Sequence, residues 1–88
     1  MKELVLTIQG ESGLHARPAG LLAAEAQKYQ SDITIEKNER TINAKSIMSV
    51  LSLGGTKGDV VTVKIAGEDE SDAAAGIEAL FHNVLAHA

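Results

Sequence analysis

The sequence predicts an α+β fold in two layers, an antiparallel sheet covered on one side by helices, with elements in the order β-α-β-β-α-β-α. In some segments apolar residues alternate with polar ones, as in Leu4, Leu6, Ile8 and again Val61, Val63, Ile65, which gives a strand one apolar face. In others they recur at helical spacing, as in Ala19, Leu22, Ala23 and Ala26. Strands with one apolar face and helices with one apolar stripe bury both by packing on each other. Nothing repeats along the 88 residues and no linker divides them, so residues 1–88 are expected to form one domain around one core. Ferredoxin-like small domains have a related order, and pattern alone does not separate the two.

The first strand is expected over Leu4–Ile8. Gln9 to Gly13 is a loop, punctuated by Gly10 and Gly13. The first helix runs from about Ala16 to Lys28, because proline is tolerated only in a first turn and Pro18 is followed by strong helix formers. Gly20, Leu21 and Ala24 lie off its buried stripe and form a small uncharged surface, with Gly20 leaving room. Asp32–Lys37 and Arg40–Asn43 read as a hairpin around Asn38-Glu39, with Ile33, Ile35 and Ile42 as core residues. Asn-Gly is the stronger turn signal at such a site, so Glu39 leaves the turn type open. A short helix follows from Ser46, a good N-cap, to Leu53, with Gly54 as its stop. Val60–Ala66 is the fourth strand. Acidic residues in Gly67–Asp72 precede the last helix, whose apolar stripe is Ile77, Leu80, Phe81, Val84 and Leu85.

Composition narrows the function classes. Hydrophobic residues make up 44% of the chain and cysteine is absent, which fits a soluble globular protein with neither disulfides nor thiolate metal sites. No apolar run is long enough to cross a bilayer, and Met1-Lys2-Glu3-Leu4 lacks a signal-peptide pattern, so direct membrane insertion is not expected and the expected location is the cytoplasm. A net charge of −4, with no basic patch and only one Tyr and one Phe, disfavours nucleic-acid binding. His15, His82 and His87 are scattered without ligand company, so no metal site and no cofactor is expected. His82 is expected on an exposed helix face, pairing with Glu78, and His87 in a frayed tail.

The chemistry concentrates in Gly13-Leu14-His15-Ala16-Arg17-Pro18-Ala19. His15 falls near the N-cap of the first helix. Unpaired N–H groups and the positive end of the macrodipole there keep an imidazole neutral and nucleophilic, and welcome an anion attached to it. Arg17 adds a fixed charge and a planar fork suited to phosphate oxygens. A lone histidine would ordinarily be read as an exposed cap. That reading leaves the Gly, Arg and Pro unexplained, whereas carriage of a phosphoryl group on His15 uses them all. With no general base or pocket evident, the chain reads as a carrier rather than a stand-alone catalyst.

Ser46–Leu53 is the second informative stretch. A two-turn helix cannot point Ile47, Met48, Val50, Leu51 and Leu53 all inward. Val50 and Leu53 are assigned to the core. Ile47, Met48 and Leu51 are assigned outward and, with Ser52 and the Gly20, Leu21, Ala24 surface, form a candidate partner-binding patch.

The Gly13–Ala19 motif, the Ala44-Lys45-Ser46-Ile47-Met48 stretch and the Gly67-Glu68-Asp69-Glu70 lead-in together resemble the histidine-containing phosphocarrier (HPr) family of the phosphoenolpyruvate:sugar phosphotransferase system. The resemblance covers essentially the whole chain. It implies an open-faced β-sandwich of four strands and three helices, and a cytoplasmic, monomeric bacterial protein. It implies His15 as phosphoryl acceptor, Arg17 as the residue that stabilises the phosphate, and Ala16 and Pro18 beside them. Enzyme I would load His15 and sugar-specific IIA domains would unload it. Ser46 matches a serine that a dedicated HPr kinase/phosphorylase phosphorylates in some relatives, in a branch that engages a catabolite-control transcription factor. Ser49 departs from the glycine of many such relatives. The alternative is a regulatory paralogue, in a nitrogen branch or in catabolite repression, that acts by binding proteins; those relatives typically lack the histidine.

Overall fold

The computed structural model describes residues 1–8, 16–54 and 57–83. Its elements are β1 (Lys2–Thr7), α1 (Ala16–Gln27), β2 (Asp32–Lys37), β3 (Arg40–Asn43), α2 (Ile47–Leu53), β4 (Val60–Ala66) and α3 (Glu70–Asn83). All strand pairs are antiparallel, in the order β1-β4-β2-β3, with β4 between β1 and β2. The three helices cover one face of this sheet, which makes it an open-faced sandwich.

Strand alternation sets which face is covered. Leu4, Val63, Ile35 and Ile42 stand opposite one another across the four strands. Ile33, Ile35, Val61, Val63 and Ile65 are fully buried under the helices. Val5 and Val60, one residue out of phase, lie on the open face at 66% and 54% exposure. Each large side chain buried in this way contributes about 1.5–3 kcal/mol. From the helix side the core receives Ala19, Leu22, Ala23 and Ala26 of α1, Val50 and Leu53 of α2, and Ala73, Ala74, Ile77 and Phe81 of α3. Leu80 is half-buried; Val84 and Leu85 lie outside the described residues.

Several boundaries differ from the sequence expectation. β1 starts at Lys2 rather than Leu4 and ends at Thr7, because pairing with β4 runs from Lys2↔Ile65 to Thr7↔Val60. Ile8 is buried past the strand end and exchanges backbone bonds with Asp59 and Gly58 at 2.8 and 2.7 Å. α1 stops at Gln27, since the next two N–H groups, of Lys28 and Tyr29, bond three residues back to Glu25 and Ala26. Such tightened bonds satisfy the last carbonyls of a helix.

Two contacts fix α3 against the α1–β2 turn. The Asp69 carboxylate accepts the N–H groups of Gln30 and Ser31, at 2.8 and 2.9 Å, and the Ser31 hydroxyl. Ser31 is only 1% exposed, so these bonds satisfy a buried hydroxyl that would otherwise be costly. Gly67 lets the α3 lead-in cross this turn closely; a Cβ on it would fall 2.6 Å from the Ser31 Cα. Further along, the Tyr29 hydroxyl donates to Glu25 at 2.8 Å, and a Cβ on Gly76 of α3 would overlap the Tyr29 hydroxyl oxygen. The bond to Glu25, with burial and nearby acidic groups, pushes the Tyr29 hydroxyl up to about 12. Burial alone would raise the Glu25 carboxyl, but bonds from Tyr29 and Lys28 outweigh it and leave the group below its ordinary range.

The Asn38-Glu39 turn places both central residues in the left-handed region, at φ 50° and 69°, the pattern of a type I′ hairpin turn. A residue bearing a Cβ pays about 1–2 kcal/mol there. Glu39→Gly should therefore raise stability by about 1 kcal/mol, after the added unfolded-chain entropy is subtracted. The expected rise in thermal midpoint is about 4–8 °C by calorimetry. An unchanged midpoint would show that Glu39 bears no strain.

The Ser31 hydroxyl, then the Gln30 N–H, hold the Asp69 carboxyl below its ordinary value of 3.8. A depressed carboxylate stabilises the fold fully above its unfolded value, and that stabilisation is lost as pH falls through the folded value. Asp69→Asn should lower the thermal midpoint at pH 7. The gap from wild type should begin to narrow below about pH 4, the unfolded value, and close only as pH falls through the lower folded value, where the wild-type carboxylate becomes protonated. Parallel melting curves across acid pH would refute the linkage.

Candidate functional site

α1 and α2 lie side by side on the sheet, and the end of α1 is bonded to the segment that precedes α2. At the start of α1, Pro18 is buried in the first turn and Arg17 is exposed. Among the described residues, Arg17 makes no hydrogen bond or ion pair within this chain. Its guanidinium is thus available to an external anion at the end of a helix where backbone N–H groups have no intrahelical partner. His15, and the side chain of Ala16, lie outside the described residues.

One turn further on, Gly20 and Leu21 are half-buried and Ala24 is exposed. No described atom approaches within 4 Å of where a Cβ on Gly20 would stand. The space at Gly20 is thus not filled by any described atom.

α2 has seven residues and is held at both ends by groups outside it. At its start the Ser46 hydroxyl accepts the Ser49 N–H at 3.3 Å, the geometry of an N-cap. Lys45, just before it, is stitched to the end of α1. Its ammonium donates to the Tyr29 carbonyl at 2.7 Å, and its carbonyl accepts the Gln27 amide at 2.9 Å. At the other end, Arg40 donates to the Ser52 carbonyl at 2.8 Å. Lys37 donates to the Gly54 carbonyl and pairs with Asp59 at 3.2 Å. Gly54 closes the helix at φ 63°, a conformation glycine adopts at no steric cost. Lys37 and Arg40 stand opposite each other beside the hairpin turn, so the turn end of the β2–β3 hairpin supplies both cations to the carbonyl end of α2.

Held in this way, α2 buries Val50 and Leu53 and presents Ile47 and Met48 at 44% and 75% exposure. Ser52 is also exposed. Leu51 differs from its outward assignment: it is half-buried and packed on the core, at the border of the patch. The exposed apolar surface of α2 is accordingly centred on Ile47 and Met48.

The sequence reading missed Lys37, Arg40 and Lys45. Their only sequence signal was a pair of cations flanking a turn, and their acceptors are backbone carbonyls of distant segments. His82 is exposed on α3, over β1 near Val5 and Thr7, and forms no ion pair with Glu78. His87 lies outside the described residues. Among the described residues no group of His, Asp and Glu is placed to hold a metal ion, and no helix is long and apolar enough to cross a membrane.

The described fold is an open-faced sandwich with an exposed arginine in the first turn of α1 and exposed apolar residues on α2. The family model described as the PTS HPr component phosphorylation site matches residues 2–83, and the chain belongs to this HPr family of phosphocarriers. It is similar to HPr from Thermoanaerobacter tengcongensis, at 43% identity and a TM-score of 0.90, over 93% of this chain and 92% of the other. It is also similar to the histidine-containing phosphocarrier protein of Mycoplasma, at 38% identity and a TM-score of 0.88, over 96% and 97% of the two chains. Crh, a catabolite-repression protein of Bacillus subtilis solved as a swapped dimer, matches at 38% identity and a TM-score of 0.74, over 93% and 94%.

The cap on α2 is directly testable. Ser46→Ala should cost about 1 kcal/mol in chemical denaturation. Ser46→Asp should keep or raise stability, because aspartate also caps and places negative charge at the favourable helix end. Equal stability of all three proteins would mean that the Ser46 hydroxyl holds nothing in place.

Proposed function

We propose that this chain is a cytoplasmic phosphocarrier that accepts a phosphoryl group on His15 from phospho-enzyme I and passes it to sugar-specific IIA domains. The observation that carries the reading is Arg17, exposed and without a partner among the described residues, at the start of the helix that follows His15 in a chain of the HPr family. In each transfer one N–P bond breaks on the donor histidine as another forms on the acceptor. The His15 ring is the nucleophile, and Arg17 with the first N–H groups of α1 offsets the phosphoryl charge. Ala16 and Pro18 shape that first turn. The partners supply the enclosing pocket, docking on Gly20, Leu21 and Ala24 of α1 and on Ile47, Met48, Leu51 and Ser52 of α2.

Ser46 is proposed as a second, regulatory phosphorylation site for an HPr kinase/phosphorylase. A phosphate there would set negative charge beside exposed Ile47 and Met48 and weaken apolar docking. The similarity to Crh supports a second reading, a regulatory paralogue that works through a transcription factor. His15 weighs against it.

Incubation with phosphoenolpyruvate and purified enzyme I should add one phosphoryl group to the intact mass, labile to acid and stable to base. His15→Ala should abolish the addition, and His82→Ala and His87→Ala should not. Phosphate retained by the His15→Ala protein would overturn the assignment, and wild type that takes no phosphate would favour the regulatory reading.

A further inference from the structure

We propose that Met48 is a reversible oxidation site, through which peroxide weakens docking without unfolding the protein. The proposal rests on the docking reading given above.

The chain has no cysteine and no tryptophan and only two methionines, so its most readily oxidised groups are two thioethers. Their access to solvent is nearly the same, 76% exposure for Met1 and 75% for Met48. Their settings differ. Met1 precedes β1, at the edge of the sheet, whereas Met48 stands beside exposed Ile47 on α2. Oxidation turns a flexible apolar side chain into a polar one with a strong acceptor oxygen. A partner surface that excludes water from Met48 would have to desolvate that oxygen without a donor for it.

The fold can accept the change, because Met48 does nothing to anchor α2. The helix is held by buried Val50 and Leu53, by the Ser46 cap, and by Arg40 and Lys37 at its carbonyl end. Chemically, a sulfur lone pair attacks one peroxide oxygen. The O–O bond breaks, the sulfoxide forms and water leaves, so sulfur loses two electrons and the peroxide gains them. A thiol-dependent methionine sulfoxide reductase reverses the step, with two thiols becoming a disulfide and the oxygen leaving as water.

The test treats the intact protein with graded hydrogen peroxide. Peptide masses then report oxidation at Met1 and Met48 separately, beside the thermal midpoint and the rate of loading from phosphoenolpyruvate and enzyme I. Loading efficiency should fall roughly ten-fold, in proportion to Met48 sulfoxide and not to Met1 sulfoxide, because a lost anchor at an interface costs at least that factor. The midpoint should stay put, and methionine sulfoxide reductase with dithiothreitol should restore the rate. In Met48→Leu, peroxide should no longer change the rate relative to the same untreated variant. Met48→Asp separates the two levels of the argument. If it slows loading while the sulfoxide does not, the switch is overturned and the docking patch stands. If neither slows loading, both are overturned. A fall in midpoint that tracks Met48 sulfoxide also overturns the switch, since the damage would then be to the fold. Untreated protein that takes no phosphate overturns the carrier reading and the switch with it.

Discussion

One constraint shapes the molecule: a four-stranded sheet of this length supplies a single apolar face. Val61, Val63 and Ile65 look one way along β4, and Val60, Thr62 and Lys64 look the other. All three helices must therefore share the side that Ile33, Ile35 and the β4 residues offer. Crowding them onto one face brings α1 beside α2 and leaves the opposite face of the sheet to water. The side-by-side placing of α1 and α2, with the end of α1 bonded to the segment before α2, follows from where apolar area was available.

Crowding also explains how so short a helix as α2 persists. An isolated helix of two turns does not survive its nucleation cost in water. Here every stabilising contact comes from elsewhere: two core anchors beneath, Ser46 and the Lys45 stitching at one end, and two hairpin cations at the other. Because the inward anchors are Val50 and Leu53, the residues between and before them are released from packing. Ile47 and Met48 can face solvent, where a large apolar side chain adds little to the stability of the fold.

Much of this was legible in the sequence. The β2–β3 hairpin and β4 occupy the residues that alternation predicted, because strand period is a local property. The α1 stripe is buried as its spacing required, and Ser46 caps α2. What local pattern could not show are the bonds between distant segments, such as Asp69 on the α1–β2 turn, Lys45 on the Tyr29 carbonyl and Arg40 on Ser52. They join side chains to backbone groups far away in the chain, and no periodicity encodes them. Leu51 sits at the rim of its helix, where period alone does not decide between core and solvent. The proposal of His15 as nucleophile rests on motif and family, since His15 lies outside the described residues.

The notch at Gly76 ties two helices together over evolutionary time. The Tyr29 hydroxyl occupies the volume that a methyl group at position 76 would need, and Glu25 holds the ring in place. Among homologous chains the identities at 29 and 76 are then not free to drift separately. A lineage that loses the tyrosine gains freedom at 76, and one that first fills 76 must let α3 move outward or give up the Tyr29–Glu25 bond. The two positions share one volume, so what stands at 29 sets what can stand at 76.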